Sequence, residues 1–181
     1  MDDVAAFLDE LSFSFGAPAA ERADGGDVLI KAGDVLFHAD REQLAAHSPV
    51  FARALRRSTR LEVGGFAATA VGEALRFVHA AVFFAADERA LTDVHEVAVH
   101  FELRELEAVC SRVLAADLSA ANVLRRLRWA DRSGARECRR LFRQFALDHW
   151  ELLLDRLDLD EFFHSDLSVL EDFFSEVSSS R

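Results

Sequence analysis

Lysine occurs once in this chain, at Lys31, and cysteine twice, at Cys110 and Cys138. The two cysteines lie far apart inside helical patterns. That excludes a disulfide framework or a zinc knuckle built on paired cysteines, and it fits buried thiols in a reducing compartment. Positive charge is in short supply: 21 basic residues face 32 acidic ones, for a net charge of -11. Binding of the whole protein to nucleic acid or to an anionic membrane is therefore disfavoured. No apolar run reaches the roughly 18 residues that a membrane span needs, and Met1-Asp2-Asp3 lacks the basic start of a secretory leader. A soluble cytoplasmic or nuclear protein is the expectation. Arginine and alanine are abundant in place of lysine, a bias that points to a GC-rich genome rather than to function.

What is present is apolar and patterned. Hydrophobic residues make up 51% of the 181 positions, which argues against disorder. A chain of this length buries roughly 70% of its unfolded surface without disulfide or metal. The most informative stretch runs from Asp27 to Leu55. Val28-Leu29-Ile30 and Val35-Leu36-Phe37 flank Gly33-Asp34, a hairpin signal. The period then changes: Leu44, Ala45 and Ala46 sit on a helical turn. Ser48 stands before Pro49 as an N-cap followed by proline at the first helical position, and Val50, Phe51, Ala54 and Leu55 supply an apolar helical face.

Asp27-Val28, Phe37, Ala39, Leu44-Ala45-Ala46, Ser48 and Phe51 match, in order and spacing, the pattern of the BTB (POZ) domain, which this stretch resembles. Asp40 stands where that family has histidine, with Arg41 in the following basic position. The resemblance continues. Leu61-Glu62-Val63 falls at a third strand, and Val71 to Ala81 aligns without gaps to the family's third helix. His79-Ala80-Ala81 replaces its usual Tyr-Thr-Gly ending, and Phe101-Glu102-Leu103 sits at its Tyr-Gln-Leu turn. The domain implied is 27–116, an α+β fold with a small three-stranded sheet capped by helices, often homodimeric.

Residues 1–26 read as a short helix handing over to an extended segment and a linker. The resemblance implies that Phe7, Leu8 and Leu11 contact a dimer mate; a mobile tail with a sticky face is the other reading. Helical spacing predicts helices over 69–81, with Val71, Ala74, Leu75, Val78 and Val82 on one face, and over 88–101 and 103–116. Leu103, Leu106, Val109, Cys110, Val113 and Leu114 form the stripe of the last. Residues 117–177 are helical in pattern. Ser119 is the predicted N-cap of one helix that stops at Gly134, and Ala135 to Trp150 forms the next, with Leu141, Phe142, Phe145, Ala146 and His149 on its apolar side. Leu118-Ser119, Asn122, Ala130-Asp131, Gly134, Phe145 and Leu167-Ser168 resemble a shortened BACK region, an all-α extension that follows BTB domains in adaptor proteins. Residues 178–181 are a tail.

Chemistry is scarce. Asp40, His47 and Ser48 have the residue types of a hydrolase triad, but Ser48 is better explained as a cap, and there is no Gly-x-Ser-x-Gly elbow. No Gly-rich loop precedes Gly-Lys. The seven histidines show no metal-ligand pair spacing, His95 and His100 being five apart. His79 and His149 read as hydrogen-bonded residues at a packed edge. No catalytic residue, metal or cofactor is expected. Arginines crowd Asn122 to Trp150 and acids crowd the segment after it. The preferred reading is mutual neutralisation of basic and acidic helices, with nucleic-acid binding the weaker alternative. Of the pairs Phe83-Phe84, Phe162-Phe163 and Phe173-Phe174, one member each is expected to be buried. The resemblance implies protein–protein interaction, typically as an adaptor assembling with a cullin scaffold in a ubiquitin ligase, or a dimerisation module without that role. The partner surface it implies is Phe51, Arg53, Leu55, Arg56 and Arg57. The hydrophobic-x-acidic motif of cullin recruiters is not found in 56–66.

Overall fold

The computed structural model describes residues 26–154. The chain divides into two compact units that meet between Ala116 and Asp117. In the first, β1 (Val28–Ala32) and β2 (Val35–Ala39) form an antiparallel hairpin, and β3 (Arg60–Val63) adds to β1 in parallel, giving the order β2-β1-β3. The hairpin closes through Gly33-Asp34, where Gly33 takes the positive φ that a two-residue loop requires. Val28, Ile30 and Ala32 are fully buried while Lys31 is exposed, the period-2 alternation of a strand with one face on the core. The expected three-stranded sheet is observed.

Among the described residues this unit also has five helices: α1 (Arg41–His47), α2 (Pro49–Ala54), α3 (Ala68–Ala80), α4 (Glu88–His100) and α5 (Arg104–Ala116). Asp40 caps α1, accepting the Gln43 N–H at 2.9 Å. Ser48 caps α2 as expected, with Pro49 in its first turn. The α3 face Val71, Ala74, Leu75 and Val78 is buried. Val82 is not part of it, because the helix ends at a left-handed Ala81 (φ 56) and Val82 lies beyond, half-buried. On α5 the stripe differs at one position. Val113 is only half-buried, and Ser111 is buried instead, held there by a hydrogen bond that the apolar pattern could not reveal.

The second unit, in its described part, is all-α: α6 (Val123–Ser133), α7 (Arg136–Asp148) and α8 (Trp150–Leu154). Ser119 does not cap α6. Its N–H donates to the Asn122 side chain at 2.8 Å, so residues 119–122 form a turn and the helix starts at Val123. Gly134 ends α6 with φ 72, as expected from a C-terminal glycine. The single helix expected from Ala135 to Trp150 is broken at His149 into α7 and α8. Its buried stripe is Cys138, Phe142 and Ala146; Leu141 and Phe145 lie along the edge and His149 is exposed, its ring stacked on Phe145 and hydrogen-bonded to the Phe145 carbonyl. Among the described residues no helix is long and apolar enough to cross a membrane.

Candidate protein-interaction surface

The short helix α2 and the loop behind it are held from three directions. Asp27, just before β1, accepts the Arg41 backbone N–H at 3.0 Å and its Nε at 3.3 Å. Arg41 in turn donates to the Leu55 carbonyl at 2.7 Å, closing the end of α2. One arginine thus ties the sheet, α1 and α2 together. The Arg41 N–H, helped by its guanidinium, holds the Asp27 carboxyl below the usual range. Beneath α2, the buried Ser48 hydroxyl accepts the Phe51 N–H at 3.0 Å and donates to the Phe101 carbonyl at the end of α4. The Phe51 and Phe101 rings stack at 4.5 Å and 6°.

This scaffold sorts the five expected partner residues. Phe51 and Leu55 are 2% and 3% exposed. They are core residues, since an apolar face on a six-residue helix must be buried for the helix to persist, and they offer no surface in this chain. Arg53 is exposed and lies 3.5 Å from Glu102, which occupies a positive-φ position in the α4–α5 turn. Arg56 and Arg57 are exposed and make no ion pair among the described residues. Arg60 is exposed at the start of β3. Phe7, Leu8 and Leu11 lie outside the described residues.

The hairpin carries a second exposed feature. Val35 is 44% and Leu36 62% exposed on β2, an edge strand among the described residues. A continuous Val-Leu-Phe run looks buried in sequence. It is the edge position and the turn that leave its first two residues in solvent, and two such side chains make a small patch.

The candidate chemical groups are committed elsewhere. The Ser48 proton goes to the Phe101 carbonyl in a buried site, Asp40 caps α1, and His47 lies 3.7 Å from Glu105. His95 is fully buried on α4, and its Nε2 meets the Ser111 hydroxyl at 3.1 Å. That hydroxyl donates to the Glu107 carbonyl at 2.7 Å, so Nε2 is the donor and carries the proton. Burial pushes the His95 pKa down to about 4. His100 is exposed against Phe66 and Phe101. His79 departs from expectation: its Nε2 is buried without a hydrogen-bond partner among the described residues, and burial lowers its pKa. Phe83 is buried while Phe84 lies half-exposed under Arg76, whose guanidinium sits 5.1 Å from the ring. Among the described residues no group of three potential ligands could hold a metal ion.

A family model described as the BTB/POZ domain matches residues 20–118, more than half of the chain. No curated protein matches it. Among solved structures it is similar to the BTB domain of zebrafish PATZ1, at 22% identity over 62% of this chain and 92% of that one, with a TM-score of 0.46. It is also similar to the BTB (Tramtrack and Bric a brac) domain of human gigaxonin, at 18% identity over 60% of this chain and 85% of that one, with a TM-score of 0.44.

Proposed function

The chain belongs to the BTB/POZ domain family, whose fold mediates protein–protein interaction, and on that premise we propose that it is a non-catalytic adaptor that self-associates and recruits a partner to a cullin-type ubiquitin ligase. The observation that carries the partner surface is the basic strip of Arg53, Arg56 and Arg57 on and behind α2. Arg53 projects from a helix locked in place by Phe51, Leu55 and the Asp27–Arg41 brace, and Arg56 and Arg57 follow in the turn behind it. A rigid base lowers the ordering cost of binding, and guanidinium groups suit a carboxylate-bearing partner. The resemblance of Leu118-Ser119, Asn122, Ala130-Asp131, Gly134 and Phe145 to a BACK region supports the adaptor reading. Phe7, Leu8 and Leu11 are proposed as contacts to the second copy.

A second reading, a dimerising scaffold without a ligase role, is favoured by one observation. Only four residues, Arg56 to Thr59, join the Leu55 cap to β3, and they hold no hydrophobic-x-acidic motif. Calorimetric titration with a cullin N-terminal domain separates the two. The adaptor reading predicts a Kd of roughly tens of micromolar or tighter, weakened at least tenfold in R53E/R56E/R57E. No measurable heat in that range removes the cullin arm and leaves the scaffold.

A further inference from the structure

The loop between α2 and β3 is exposed from Arg56 to Thr59, and Arg60 opens the strand. Two neighbouring hydroxyls stand in it, and the structure treats them differently. Ser58 Oγ is engaged on both sides: it donates to the Arg60 carbonyl at 2.7 Å and accepts the Arg60 N–H at 3.0 Å. That local turn keeps the hydroxyl against the backbone. Thr59 is tied through its backbone, its carbonyl accepting the Leu29 N–H of β1 at 2.8 Å. The Thr59 side chain is exposed, and its hydroxyl makes no hydrogen bond among the described residues.

Charge selects the same residue. Arg56 and Arg57 stand three and two residues before Thr59, both exposed and without an ion pair among the described residues. Adjacent arginines at that spacing before a hydroxyl are the charge pattern by which arginine-directed protein kinases choose substrates, because guanidinium forks pair with carboxylates lining the substrate groove. Ser58 lacks the spacing: the residue three before it is Leu55, which is buried. A substrate groove takes a short extended segment, and little holds this loop in its turn. The Arg57 N–H donates to the Ala54 carbonyl at 3.1 Å, the two Ser58 bonds are exposed, and no side chain from Arg56 to Thr59 is buried. Such a segment opens locally at low cost.

We propose that Thr59 is a phosphoryl acceptor for an arginine-directed protein kinase. Thr59 Oγ1 forms a bond to the γ-phosphorus of a magnesium-bound nucleoside triphosphate, and the bond from that phosphorus to the β,γ-bridging oxygen breaks. The hydroxyl proton passes to the carboxylate base of the kinase, and the nucleoside diphosphate leaves. The phosphate brings a charge of about -1.5 to -2. It thereby cancels at least half of the charge on residues 56–60, which hold Arg56, Arg57 and Arg60 and no acid. A consequence for partner binding rests on the reading of Arg56 and Arg57 as partner contacts; the modification itself does not.

The test incubates the full chain with ATP and a purified cyclic-nucleotide-dependent protein kinase, shown in parallel to turn over an Arg-Arg-x-Ser peptide. Sites are mapped by mass spectrometry. The expected result is a phosphate on Thr59 that is absent from T59A and retained in S58A. T59S keeps it, which separates loss of the acceptor from loss of the fold. The kcat/KM for the chain falls at least about tenfold in R56Q/R57Q, the scale of losing charge-assisted hydrogen bonds to the groove. Three results overturn the proposal. The first is no phosphate on the chain while the peptide is turned over. The second is a phosphate that maps to Ser58 or elsewhere and persists in T59A. The third is phosphorylation of Thr59 with kcat/KM unchanged in R56Q/R57Q.

Discussion

Ser48 shows how much one side chain can hold. Its hydroxyl satisfies the Phe51 N–H and the Phe101 carbonyl inside the core. Ser48→Ala is expected to cost about 2–4 kcal/mol in urea unfolding, because two buried polar groups are orphaned together. The cap was legible from Ser48-Pro49; its second bond was not, since Phe101 lies 53 residues away. His95 is the other residue whose role is hidden from the sequence, where only its lack of metal-ligand spacing to His100 is legible. Its folded pKa lies near 4, below the ordinary 6.5. The stability it contributes is therefore complete above about pH 6.5 and is lost as pH falls toward 4, where the unfolded chain binds the proton more readily. Relative to His95→Gln, the wild-type chain is expected to lose about 2–3 kcal/mol between pH 7 and pH 4.5, measured by denaturant titration at each pH. Parallel curves would contradict the neutral buried imidazole. Asp40, in the place of a family histidine, has a plain role as the cap of α1.

The elements were most legible where periodicity and punctuation agree. The hairpin, the buried face of α3 and the Gly134 stop follow from alternation, helical spacing and a glycine at positive φ. They were least legible where side chains compete with backbone. Asn122 draws the Ser119 N–H and delays α6, and the edge residues Leu141, Phe145 and His149 pass for a core stripe that belongs to Cys138, Phe142 and Ala146. The end of α3 is instructive. Where the family carries glycine, Ala81 takes φ 56, a conformation that costs an L-residue about 1–2 kcal/mol. Ala81→Gly is expected to raise stability by up to about 1 kcal/mol after the entropy of a new glycine, seen as a rise of a few degrees in melting temperature. Gly134→Ala, at φ 72, is expected to lower stability by about 1 kcal/mol for the same reason in reverse. Opposite signs from two helix ends would tie the departure at Ala81 to backbone conformation alone.

At the scale of the molecule, the first unit is a BTB/POZ fold that, among the described residues, joins a small sheet to five helices, and Arg53, Arg56 and Arg57 are set on a braced helix and the turn after it. The arginine strip was legible as a list of residues but not as a surface. Phe51 and Leu55 are interleaved with Arg53 and Arg56 in one short stretch, and packing separates those that face the core from those that face solvent. The central claim is that this chain is a self-associating interaction module. Light scattering on the full chain at micromolar concentration tests it most directly. The account predicts a mass twice the 20.2 kDa of one chain, and a mass of 20.2 kDa across that range would contradict it.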